Sequence, residues 1–173
     1  MTALVGPAAA LEISSPAVGA DNTIPAKYTA NSFGCSGENV SLPLVWEGVP
    51  AEAKSLALTM YDPDAPTGSG FWLWLVVNMP PSTTELPEGA GEVGNAGLPA
   101  RSVQARGDAG VAGHFGPCPP EGDTPHRYIF TIFAVGADPS YAAATMTCAW
   151  IFPATAPLPW RLAIASAARS VAS

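Results

Sequence analysis

With 14 acidic against 7 basic side chains, this chain of 173 residues carries a formal net charge of −7. That balance argues against a nucleic-acid or anionic-membrane partner, because either requires a positive footprint. The length suits one domain with a real core, expected over residues 1–173 with 1–10 as a loose lead, and is too short for two comfortable ones.

The start, MTALVGPAAALEISSPAVGA, has neither a basic n-region nor a long apolar stretch and makes a poor secretory signal. No later run reaches the roughly 18 uncharged apolar residues of a membrane helix. Cys35, Cys118 and Cys148 are odd in number and lack CxxC or Cys/His metal spacing. No metal site is therefore expected. Reduced thiols in a cytoplasmic protein are the economical reading, with one disulfide plus a free thiol as the alternative.

In chain order, Leu11 to Ser14 reads as a short edge strand closed by Pro16. Ala20 to Cys35 reads as loop, with a brief extended piece at Lys27 to Thr29. Leu42, Leu44 and Trp46 then alternate with Ser41, Pro43 and Val45 in the period of a strand. Two apolar runs follow, Ser55 to Tyr61 and Phe71 to Asn78. The second has almost no polar face and is expected inside a sheet with another layer packed over it. Ser82 to Gly113 is loop-like apart from a short strand near Ser102 to Ala105, and a loop of that length is expected to serve or cover a site. Arg127 to Val135 is a third apolar strand, rich in aromatic and β-branched residues. Tyr141 to Trp150 is expected as a short helix stopped by Pro153. For Leu162 to Ala168 a helix and a terminal strand are both open, and propensity leans toward helix. The pattern is a mostly β domain with little helix.

The loop between the two central runs, DPDAPTGSG, carries Asp62 and Asp64, each followed within two residues by a proline. A carboxylate at the end of a buried strand is rigidly placed, which suits binding or acid/base work; the structural alternative is that each caps a turn. A Ca²⁺ loop would need more oxygen ligands at regular intervals. His114 and His126 are the only histidines, and both adjoin the rigid stretch GHFGPCPP. An imidazole beside a carboxylate can hold an oxyanion or move a proton near pH 7. No GxSxG is present to present a serine nucleophile, and Cys118 has no cationic neighbour before Arg127. Trp46, Phe71, Trp72 and Trp74 are either core or the apolar wall of a ligand pocket.

The blocks YDPDAPTGSGFWLWLVVNMP and GPCPPEGDTPHRYIFTIFAV, with IPAKYT and SLPLVWEGVP upstream, resemble the phosphatidylethanolamine-binding protein family, especially its bacterial branch. The match runs in order over about Leu11 to Val135. The resemblance implies a large central antiparallel β-sheet with a smaller sheet and few peripheral helices. It also implies a small pocket at one end of the sheet that accepts phosphate, acetate or a phospholipid headgroup. Carried onto this chain, it puts Asp62 in the pocket with Asp64 supporting the loop. His126 and Tyr128 of the HRY block would face the pocket, and Gly116 to Pro120 would form its rim. Two departures stand out. The family typically has a histidine in FWHW or WWHW where this chain has Leu73, and a tyrosine in GYxGP where this chain has His114.

These observations support a small-molecule binding protein, for an anion or an apolar metabolite, with a pocket made more apolar by Leu73. Its expected ligand-binding residues are Asp62, Asp64, Trp72, Leu73, His114, Gly116, Pro117, His126 and Tyr128. A second reading is a cofactor-independent biosynthetic cyclase, isomerase or dehydratase using Asp62, His126 and His114 as acid/base residues. A third is a protease- or kinase-regulating interaction protein. No cofactor is implied, and a homodimer is left open.

Overall fold

The computed structural model describes residues 10–136 in full and, beyond them, the backbone of a strand over 160–170. In chain order the strands are β1 (Glu12–Ser14), β2 (Thr23–Ile24), β3 (Leu44–Glu47), β4 (Ser55–Asp62), β5 (Phe71–Met79), β6 (Glu85–Leu86), β7 (Val103–Gln104), β8 (Arg127–Val135) and β9 (Trp160–Ser170). The three apolar runs read from the sequence are β4, β5 and β8, and they lie side by side because strands buried on both faces gain most from a central position. The larger sheet runs β2-β9-β8-β4-β5-β7, antiparallel except where β2 pairs with β9. The smaller sheet runs β1-β3-β6, so β1 is the edge strand that Pro16 suggested.

One buried cluster joins Ile13, Leu44, Trp46 and Leu86 of the smaller sheet to Leu56, Leu58, Met60, Val76, Phe130 and Ile132 of the larger. Each such side chain, fully buried, stabilises the fold by about 1.5–3 kcal/mol before the entropy of ordering is counted. Trp46 keeps its polar atom satisfied by donating Nε1–H to Thr83 O at 2.7 Å. Pro43 falls just before β3, where its missing N–H removes no ladder bond.

An irregularity in β5 sets the place of Leu73. Met60 pairs with Trp74 but Tyr61 pairs with Trp72, which leaves Leu73 as an extra residue on β5. A bulge of this kind breaks the ladder and turns a side chain out of strict alternation. The loop takes over the neighbouring carbonyls: Phe115 N–H donates to Leu73 O at 3.1 Å and Asp108 N–H to Trp72 O at 2.9 Å.

Three expectations need correction. Lys27 and Tyr28 are not extended, although Thr29 is; a 3-10 turn spans Ala26–Tyr28, begun by Pro25, whose carbonyl accepts Tyr28 N–H at 3.0 Å. Glu88 holds that turn by accepting from Lys27 Nζ and from Tyr28 OH. The segment Leu162 to Ala168 is part of strand β9, since pairing along β8 outweighs its weak helix propensity. Cys35 and Cys118 are not reduced thiols but a disulfide, with Cα atoms 5.9 Å apart. Their separation of 83 residues hid the pairing from the sequence. The two loops meet through Ala30 N–H, which donates to Pro117 O at 3.0 Å. The helix expected at Tyr141 to Trp150, the thiol of Cys148 and most of the N-terminal lead lie outside the described residues.

Candidate functional site

Antiparallel pairing on both flanks of β4 brings its C-terminal end beside the N-terminal ends of β5 and β8. Asp62 sits opposite Phe71, and Tyr61 opposite both Trp72 and Ile129. His126, one residue before β8, thereby meets Asp62, with Nδ1 2.8 Å from Oδ2. Both side chains are buried. The other ring nitrogen, Nε2, lies 3.4 Å from Asp123 Oδ2, on a turn that leaves Asp123 half-exposed. Burial alone would lower the His126 pKa, but Asp62 and Asp123 together outweigh it and raise the value above the usual imidazole range.

The Asp62 loop is self-braced. Asp62 Oδ1 accepts the N–H of Asp64 at 2.8 Å, forming an Asx turn. Thr67 Oγ1–H donates to Gly70 O. Gly70 has φ of 70°, and a Cβ there would fall 2.1 Å from the Tyr61 hydroxyl, so no other residue fits. Asp64 takes Arg127 as partner, accepting from its backbone N–H and from both Nε and Nη2 at 2.7–3.2 Å. The Arg127 hydrogen bonds hold the Asp64 carboxyl down at about 2. Asp64 thus fastens the loop to β8 and does not line the cavity.

That cavity has a volume of about 340 Å³, within the range of small-molecule sites. Its walls are Phe33, Ala65, Pro66, Thr67, Phe71, Leu73, Phe115, Cys118 and Pro120, with Asp62 and His126 as the ionisable members. Phe115 sits edge-on to Phe33 with centroids 5.6 Å apart and 6.3 Å from Phe71. Phe33 is 83% exposed and holds a φ of 56°, an unfavourable conformation for a bulky residue. The disulfide two residues later ties its loop to Cys118, another residue of the wall.

Of the residues expected at a site, Asp62, Leu73 and His126 meet around the cavity; the others do not line it. Trp72 leaves the cavity to stack on Tyr61, centroids 4.5 Å apart. Gly116 and Pro117 build the rim from behind: a Cβ on Gly116 would meet Ala30 N at 2.5 Å, and its N–H donates to Asn39 Oδ1. Tyr128 is fully buried in the core. His114 is also core, edge-on to Trp74 at 5.5 Å, and burial pushes its pKa down to about 4. Its burial against Trp74 takes it away from the cavity, although the Gly/Pro loop that adjoins it in sequence does line it. The sequence reading overlooked Phe33, Phe115 and Asp123. For Phe33 the signal was its place in NSFGC, a bulky apolar residue inside a turn sequence. Among the described residues no three His, Cys, Asp or Glu side chains are grouped as a metal site.

The phosphatidylethanolamine-binding protein family model matches residues 14–163. The chain belongs to the phosphatidylethanolamine-binding protein family. Within that family it is 47% identical to YbcL of Escherichia coli over 128 residues, covering 74% of this chain and 70% of YbcL. It is 48% identical to E. coli YbhB over 112 residues, covering 65% and 70%. The crystal structure of YbcL superposes with a TM-score of 0.78 at 41% identity, covering 83% of this chain and 87% of that one. CT736 of Chlamydia trachomatis, described as a putative family homologue, superposes with 0.73 at 30% identity, covering 93% and 95%. The family's fold is therefore the fold of this chain, two sheets with very little helix among the described residues.

Proposed function

We propose that this protein binds a small, largely apolar molecule in the cavity at the ends of β4, β5 and β8. The observation that carries the reading is the composition of the walls: three phenylalanines and Leu73 surround one buried Asp62–His126 pair. An apolar wall with a few placed polar groups is the general form of a small-molecule site. Phe33, largely in water and conformationally strained, is well placed to be covered by such a ligand.

The binding reading is favoured over an enzymatic one. Both nitrogens of His126 face carboxylates, so neither is directed into the cavity as a base. On location, the Cys35–Cys118 bond supports an oxidising compartment over the cytoplasm. Among the described residues no helix is long and apolar enough to cross a membrane.

The test uses the two histidines. Imidazole NMR signals are followed while a panel of apolar metabolites is added. A true ligand shifts His126 saturably and leaves His114, away from the cavity, unmoved. Equal movement of both, or of neither across the panel, refutes the assignment.

A further inference from the structure

The side chains lining the cavity are one-sided in their hydrogen bonding. Two wall side chains, Thr67 and His126, carry a group capable of donating, and each is committed. Thr67 donates to Gly70 O. Cys118 is in the disulfide and has no S–H. His126 directs Nδ1 to Asp62 and Nε2 to Asp123. Leu73 offers no donor, and neither lysine nor arginine is among the walls. Arg127, the nearest guanidinium in sequence, is turned to Asp64 at the surface.

Acceptors, in contrast, remain open. Asp62 Oδ1 takes one N–H from Asp64 and Oδ2 one from His126, while a carboxylate oxygen accommodates two. Counting the groups in this cluster, Asp62, Asp64 and Asp123 set three negative charges against His126 and Arg127. An anion entering here would have to pull His126 Nε2 from Asp123 and then lie between two carboxylates. A cation meets the reverse: a carboxylate acceptor and three phenylalanine rings in the same walls.

We infer that the ligand is an amine, bound as its cation on an aromatic or aliphatic body, with the ammonium donating to Asp62 and the apolar part lying against Phe33, Phe71 and Phe115. The inference rests on the small-molecule reading above and names the class of molecule that fits it.

The experiment is calorimetric titration of the whole protein at pH 7 with four probes of similar size: 2-phenylethylamine, 2-phenylethanol, phenylacetate and phenyl phosphate. The amine is expected to bind at least ~10-fold more tightly than the alcohol, with both anions weaker still. Asp62→Asn should abolish the preference for amine over alcohol. Asp123→Ala alters a half-exposed residue outside the cavity wall and removes the acceptor that faces Nε2, which should raise the affinity for phenylacetate. An alcohol that binds as well as the amine, an anion that binds more tightly, or an Asp123→Ala protein with no gain for phenylacetate overturns the amine assignment and leaves the small-molecule reading standing. Failure of all four probes to bind overturns both.

Discussion

His126 Nδ1 lies 2.8 Å from Asp62 Oδ2, with both side chains buried where β4 ends and β8 begins. Removing one partner of such a pair leaves the other uncompensated, so Asp62→Ala should lower stability by about 3 kcal/mol in urea unfolding. Asp64→Ala removes an exposed pair and should cost far less. Equal losses in the two variants would show that the buried pair has no special weight.

The two histidines predict opposite pH slopes. The folded His114 pKa is depressed to about 4, so the unfolded state binds the extra proton below pH 6.5 and stability falls on acidification. A shift of that size corresponds to roughly 3 kcal/mol lost between pH 6.5 and 4. The folded His126 pKa is raised, so its contribution is complete below pH 6.5 and disappears as pH rises through the folded value. Stability should therefore peak near the ordinary imidazole pKa. His114→Gln should flatten the acid side between pH 6.5 and 4 and leave the alkaline side alone; a variant that keeps both slopes would refute the assignment.

Leu73→His puts a donor into the cavity wall at the β5 bulge. Phosphate affinity, followed by the His126 signal, should rise, and burying the imidazole where Leu73 is 3% exposed should cost about 1–3 kcal/mol. Unchanged phosphate binding would mean that position 73 is inaccessible to ligand.

Reduction of the Cys35–Cys118 bond opens a link spanning 83 residues. Chain-entropy arguments put its contribution at about 4.5 kcal/mol. Cys35→Ser should lower Tm and, by releasing the Phe33 loop from the rim, weaken binding of any ligand that lies on Phe33. Loss of stability without loss of affinity would separate the disulfide from the site.

Local pattern was enough to find β4, β5 and β8, because continuous apolar runs bounded by Pro and Gly have few other uses in a chain this short. It also singled out Asp62 and His126, polar residues at the ends of such runs, whereas Leu73 stood out only as a departure from the motif of the family that the sequence resembles. What required the tertiary structure are relationships between distant segments. Antiparallel pairing decided that Asp62 meets His126, and a bulge that no propensity signals left Leu73 beside the cavity. Packing sent His114 into the core against Trp74, although its neighbours in sequence are loop-like. Pairing of Cys35 with Cys118, and the choice of strand for 160–170, were settled by which partner each found in space. Periodicity reports the environment of a single element, whereas the charge, polarity and reach of a site depend on which elements converge.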